Sequence, residues 1–233
     1  MQRLLYLGLA PASLLLPLSL WAQYGPAKGG CLLRNGRQLA GTTRMVAATA
    51  QAPSTFIYYE KNQPQELTPD EVRTCQVGKH QFIVSGGFVA PDDRGGLPVD
   101  RDFIEVIDTT GGVQVFAYTY ERFMAAKNMR GTVVAMPSGN MMATGGQDTY
   151  HSFTLYLMRA RGSRAFMPYA VKVTSGFLTN KKELDNQADA ATLQQLFPED
   201  PVLQQELLGG RIGNKQLPEV VLAYNQGIRR KAR

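Results

Sequence analysis

From Val113 to Tyr120 the chain is apolar on both of its alternating faces. Val113, Val115 and Ala117 fall on one side, and Phe116, Tyr118 and Tyr120 on the other. Successive side chains of a strand point to opposite faces, so this segment has to be covered on both sides or lie in a closed sheet. Phe103 to Ile107 precedes it as a second strand, and Thr110-Gly111-Gly112 forms the turn between them. A central hairpin with a layer on each face is therefore the first expectation.

Other segments extend that sheet. Asn35-Gly36 lies between the apolar stretches Leu32-Leu33 and Leu39-Ala40, which marks a hairpin whose two turn residues are expected at positive φ. Thr42 to Ala48 continues its second strand. Thr55 to Tyr59 and Gln81 to Val84 are rich in β-branched and aromatic residues and read as strands. Phe153 to Met158 and Ala165 to Tyr169 form another hairpin around Arg161-Gly162-Ser163. Between Gln81 and Phe103, residues 86–100 read as a loop. Residues 122–149 interleave Met124, Met129, Met136, Met141 and Met142 with glycines, as filler around a mobile loop or as an adaptable apolar surface.

Helix signals are of two kinds. Thr68-Pro69-Asp70-Glu71 combines an N-cap, a first-turn proline and a residue that can close a capping box, so a short helix is expected there. After Gly176 the texture becomes helical. Asn180 is expected to cap a helix running to Phe197, Asp200-Pro201 to start a second that Gly209-Gly210 stops, and Pro218 to open a third. Strands followed by helices give an α+β class: a mainly antiparallel sheet or partly closed small barrel with a helical C-terminal segment.

The first 22 residues differ from the rest. Arg3 is followed by an uncharged, leucine-rich run to Leu20 and then Trp21-Ala22-Gln23. This is the pattern of a secretory signal peptide cleaved between Ala22 and Gln23. A retained anchor would need about 20 apolar residues, and Pro11 and Pro17 interrupt the run. Cys31 lies too far downstream for lipid attachment. The expected organisation is a signal peptide over 1–22, a flexible Gly/Pro-rich lead-in over 23–30, a β-rich domain over 31–175 and a helical segment over 176–233. The protein is expected to be exported to the periplasm, outer envelope or medium. In an oxidising compartment Cys31 and Cys75 can bridge, and two independent buried thiols are the other reading.

The formal net charge of +6 includes Arg3 and the tail Arg229, Arg230, Lys231 and Arg233. The body is therefore near neutral, and no nucleic-acid partner is expected. The tail can touch anionic lipid or be solvated. His80 and His151 stand apart from each other and from the cysteines, so no catalytic, metal or cofactor site is assigned, and the histidines are expected as surface or satisfied strand residues. The acidic residues Asp92, Asp93, Asp100, Asp102, Glu105 and Asp108 lack calcium-loop spacing. A hydrolase built from scattered carboxylates remains the alternative to a non-enzymatic binding protein. Tyr58, Tyr59, Tyr118 and Tyr120 can line a ligand face or fill a core.

Three stretches carry a resemblance. They are Leu67-Thr68-Pro69-Asp70-Glu71-Val72 before Phe82-Ile83-Val84, the two hairpins Phe103 to Tyr120 and Tyr150 to Met167, and the end from Phe197-Pro198-Glu199-Asp200-Pro201 to Ala223-Tyr224-Asn225. In these the chain resembles a loose group of uncharacterised exported proteins of Gram-negative bacteria. The resemblance implies export and a β-rich body with a helical tail. It brings no activity and no site residues. The partner is unknown, with envelope protein, glycan and anionic lipid as the classes left open.

Overall fold

A computed structural model of the chain describes residues 24–91, 96–124, 132–135, 141–144, 149–175, 189–213 and 216–227. The expected leader with its Ala22-Gln23 junction, Asp92 and Asp93, most of the Met/Gly stretch and the basic tail lie outside the described residues. In chain order the strands are β1 (Tyr24–Leu33), β2 (Gln38–Val46), β3 (Ala48–Thr49), β4 (Thr55–Glu60), β5 (Gln63–Leu67), β6 (Val72–Val77), β7 (His80–Ser85) and β8 (Phe88–Ala90). They continue with β9 (Leu97–Val99), β10 (Asp102–Asp108), β11 (Val113–Met124), β12 (Thr132–Ala135), β13 (Met141–Thr144), β14 (Thr149–Ala160) and β15 (Met167–Ser175). The helices are α1 (Ala190–Leu196), α2 (Pro201–Leu208) and α3 (Leu217–Asn225). The molecule is an α+β protein; among the described residues it is mostly antiparallel sheet with three C-terminal helices and no closed barrel.

The main sheet runs β15-β14-β11-β10-β7-β6-β1-β2-β4-β5, each neighbour antiparallel. Past Ala47 the chain of β2 continues into β3, which pairs parallel to β11 through Tyr120↔Ala48 and Glu121↔Thr49. The sheet therefore curls back and is joined to itself at one end. As its sequence requires, β11 is covered on both faces. Val113 and Val115 pack with the helices, against Leu193, Leu203, Leu217 and Val221. Phe116, Tyr118 and Tyr120 pack on the other side with Phe88, Ala90 and Val99 of the small β8–β9 hairpin. A third core fills the curl, with Met45, Phe56, Val72, Phe82 and Phe103 around the two cysteines.

Residues 24–30 are not a flexible lead-in but most of β1, paired with β2 from Tyr24 and with β6 from Gly29. Their glycines serve close approach. A side chain at Gly29 would overlap the Gln76 carbonyl and the Thr43 hydroxyl, and one at Gly30 would overlap the Leu39 carbonyl. The Thr43 hydroxyl donates to Ala27 O at 3.2 Å and to Gln76 O at 3.1 Å, linking β2 directly to β6 across the glycine gap. The sheet folds along this line.

Other turns depart from expectation in instructive ways. At the β1–β2 hairpin only Gly36 is at positive φ (87°), and Asn35 Oδ1 instead accepts the Arg37 N–H at 3.0 Å. Half of the capping box at Thr68 forms: Glu71 Oε2 accepts the Thr68 N–H at 2.8 Å, but the Thr68 hydroxyl donates to the same carboxylate at 3.0 Å, and the chain makes a single turn and enters β6 at Val72. The β-branched Val72, Thr74 and Val77 favour the strand over further helix. Helix α1 begins at Ala190, capped by Asp189 through the Thr192 N–H at 2.9 Å, and Asn180, the expected cap, lies outside the described residues. Asp200 caps α2 through Leu203 N at 2.9 Å.

Candidate functional site

Glu105 follows Phe103 by two residues in β10 and so faces the same side, toward the interior of the curl. A carboxylate in that register needs partners, because burying a charge alone is costly. The strand register supplies them. One row of cross-strand neighbours reads Tyr156, Ala117, Glu105, Phe82, Cys75, Cys31 and Leu39, from β14 across to β2. Glu105 stands in this row between the helix-covered core and the core of the curl.

Two groups bind its oxygens. His80 Nδ1 lies 2.5 Å from Oε1, and the Tyr24 hydroxyl donates to Oε2 at 2.5 Å. His80 comes from the first position after the β6–β7 turn, where Gly78 has φ of 60°. The Tyr24 ring lies 4.4 Å from the His80 ring and 5.4 Å, edge-on, from Phe82. Side-chain exposure is 30% for His80 and 13% for Glu105, so the group is reached from solvent through the imidazole. Ala117 is small, and Tyr156 lies on its far side in the row. Burial, with the Glu105 charge and hydrogen bond, holds the Tyr24 phenol far above its usual pKa. Burial, and then the Glu105 charge, raises Tyr156 as well. Both phenols therefore stay neutral hydrogen-bonding groups at ordinary pH. The pair His80–Glu105 is an ion pair when the imidazole is protonated and a hydrogen bond when it is neutral.

Three other acidic residues have structural partners. Asp102 is 2% exposed and accepts from Ser54 N at 3.0 Å, Phe103 N at 2.7 Å and the Tyr118 hydroxyl at 3.0 Å. It ties the β3–β4 connection to β10 on the face opposite Glu105. Asp108 accepts from Thr110 and from Asn225 of α3. Asp70 pairs with Arg101 at 2.9 Å on the exposed surface. Tyr118 and Tyr120 do not line a ligand face: both are buried, stacked 5.6 Å apart in the core. Tyr58 and Tyr59 are half-buried on β4. Cys31 and Cys75 are both buried, unbridged, and directly opposite each other on β1 and β6.

His80 is the satisfied strand residue that its sequence context predicts. His151 lies in β14, opposite Arg122 and Ser175. Sequence reasoning missed Tyr24 and Tyr156, and weighed Glu105 only as one of the acidic residues that lack calcium-loop spacing. The signal for Glu105 was available: a lone carboxylate on the Phe103 face of an apolar strand. Among the described residues, no group of three or more His, Cys, Asp or Glu could hold a metal ion, and no helix is long and apolar enough to cross a membrane. The chain matches no protein-family model, no curated protein and no solved structure.

Proposed function

We propose that this protein is an exported, non-enzymatic binding module of the cell envelope, and that it takes a glycan at the Tyr24–His80–Glu105–Tyr156 group. The observation that carries the reading is Glu105 itself, a carboxylate set among aromatic rings in the core-facing register of β10 and bound by Tyr24 and His80. Sugars combine apolar C–H faces with hydroxyl arrays. Aromatic rings beside a few fixed polar groups suit both parts, which is the usual make-up of a small-ligand site. Export rests on the leader, Arg3 with the leucine-rich run to Leu20.

Calorimetric titration with soluble oligosaccharides released from the envelope tests it. The wild type binds saturably, and Glu105→Gln and His80→Ala each weaken binding by about tenfold or more, the worth of one charged hydrogen bond. Absence of binding, or binding that both substitutions leave intact, overturns the reading. A hydrolase is the second reading, favoured by one feature: Glu105 holds His80 as a carboxylate holds a general base. Release of reducing ends from the same oligosaccharides, lost in His80→Ala, would establish it instead.

A further inference from the structure

We propose that Cys31 and Cys75 form a disulfide that joins β1 to β6 at the fold line of the sheet. The argument starts from register. Cys31 and Cys75 are direct partners in the antiparallel β1–β6 pair. Partners in such a pair alternate between hydrogen-bonded and non-hydrogen-bonded sites. The Gly78 N–H donates to Lys28 O at 2.9 Å, so Lys28 and Gly78 occupy a hydrogen-bonded site. Counting along the ladder, Gly30 and Gln76 occupy the next one, and Cys31 with Cys75 a non-hydrogen-bonded site. The neighbouring ladder agrees. Leu33 N donates to Arg37 O at 2.9 Å, so the backbone of Cys31, two residues earlier, turns its hydrogen-bonding groups to Leu39 of β2 and away from β6.

Non-hydrogen-bonded partners have Cα atoms about 4.5 Å apart, with side chains drawn together. That lies inside the range of about 4.4–6.8 Å that a disulfide spans. Both thiols enter the same core, between Leu39, Val72 and Phe82, and are 6% and 5% exposed. Bridging them removes two polar S–H groups from that core without moving either strand. Burial raises the Cys31 thiol to about 11 and Cys75 well above its usual value, with Cys31 adding to the latter. The folded thiols are thus poor nucleophiles, and exchange belongs to the stage before the curl closes.

The chemistry needs a disulfide oxidant, such as oxidised glutathione. The Cys31 thiolate attacks one of its sulfurs, forms a mixed disulfide and expels a glutathione thiolate. The Cys75 thiolate then attacks the Cys31 sulfur and expels the second. Two electrons pass to the oxidant, and the two protons lost by the cysteines are taken up by the two expelled glutathione thiolates, which become thiols. Formation in the cell rests on the export proposed above, whereas the pairing rests on the register alone.

The full chain is refolded in a glutathione redox buffer, denatured and alkylated without reductant. The expected product carries no alkyl group, is about 2 Da lighter than the reduced chain, and on tryptic digestion yields residues 29–34 linked to residues 74–79. Alkylation of both cysteines, or linkage between separate chains only, overturns the proposal. The same digest on protein alkylated in whole cells, without prior fractionation, separates the two readings. Free thiols there, beside bridged protein from the buffer, would refute export and leave the pairing standing.

Discussion

Asn225 of α3 binds Val113 of β11 as a neighbouring strand would. Its Oδ1 accepts the Val113 N–H at 3.1 Å, and its Nδ2 donates to Val113 O at 2.8 Å and to Asp108 Oδ2 at 3.2 Å. A side chain at Gly111 would overlap Asn225. One amide thus docks the last helix on the tip of the β10–β11 hairpin. Asn225→Ala leaves both backbone groups of Val113 without that partner and is expected to cost about 2–3 kcal/mol. Asn225→Asp costs more, because it brings an acceptor against Val113 O and a charge against Asp108. Gly111→Ala destabilises on its own, and less so in the Asn225→Ala background, since the two substitutions damage one contact. Urea unfolding midpoints of the three variants and the double variant check this.

Asp102 and Asp108 give stability opposite dependences on pH. Burial is the main influence on Asp102 and raises its pKa, against the hydrogen bonds from Phe103, Ser54 and Tyr118. Its contribution is full below the unfolded pKa of about 4 and is lost as pH rises through the folded value. For Asp108 burial also raises the pKa, but the hydrogen bonds from Thr110 and Asn225 together outweigh it, and the net shift is downward. Its contribution is present above about 4 and is lost as pH falls through the folded value. Unfolding midpoints are measured from pH 3 to 7. Relative to wild type, Asp102→Asn gains as pH rises and Asp108→Asn loses. Parallel curves for the two variants would contradict the assignment.

The fold line at β1 tolerates no side chain. Gly29→Ala sets a methyl into the Gln76 backbone carbonyl, which cannot swing aside, so a loss of about 3 kcal/mol or failure to fold is expected. Thr43→Val keeps the shape and removes the hydroxyl from Ala27 O and Gln76 O, for about 1–2 kcal/mol. A folded Gly29→Ala protein with an unchanged melting temperature would show that the strands are not in this close approach.

Tyr24→Phe retains the ring against His80 and Phe82 but removes the donor to Glu105. The loss is about 1–2 kcal/mol, the range for a hydrogen bond to a charged group in a partly exposed site. Glu105→Gln in the Tyr24→Phe background should add less than it does alone. Thermal unfolding of the double-variant cycle measures that coupling.

The parts of this fold that announce themselves are those governed by local chemistry. Asp200-Pro201, Gly111-Gly112 and Arg161-Gly162-Ser163 lie where their turn and cap preferences put them. β5 escaped notice because its turn, Lys61-Asn62, reaches positive φ (49° and 68°) without glycine, and because Gln63 to Glu66 is polar. β1 escaped because glycine placed for close approach looks the same in sequence as glycine placed for flexibility. The Glu71 bond back to Thr68 is real, but the helix stops after one turn, since the strand register beyond it wins. Tyr24 and Glu105 are 81 positions apart and meet only once β1, β6, β7 and β10 are in register. No window of sequence contains that relation, and the same holds for Cys31 and Cys75.

β5 is the last strand at its end of the sheet. The tight Lys61-Asn62 turn makes Glu60 and Gln63 a hydrogen-bonded pair, so the backbones of Pro64 and Glu66 face outward, away from β4. At Pro64 that outward position has no N–H to offer, and at Glu66 the residue is charged and exposed. A second chain approaching this rim would meet a missing donor and a carboxylate it would have to desolvate. The sheet therefore terminates itself there, and a protein this rich in strands carries its own brake on fibrous growth along that edge.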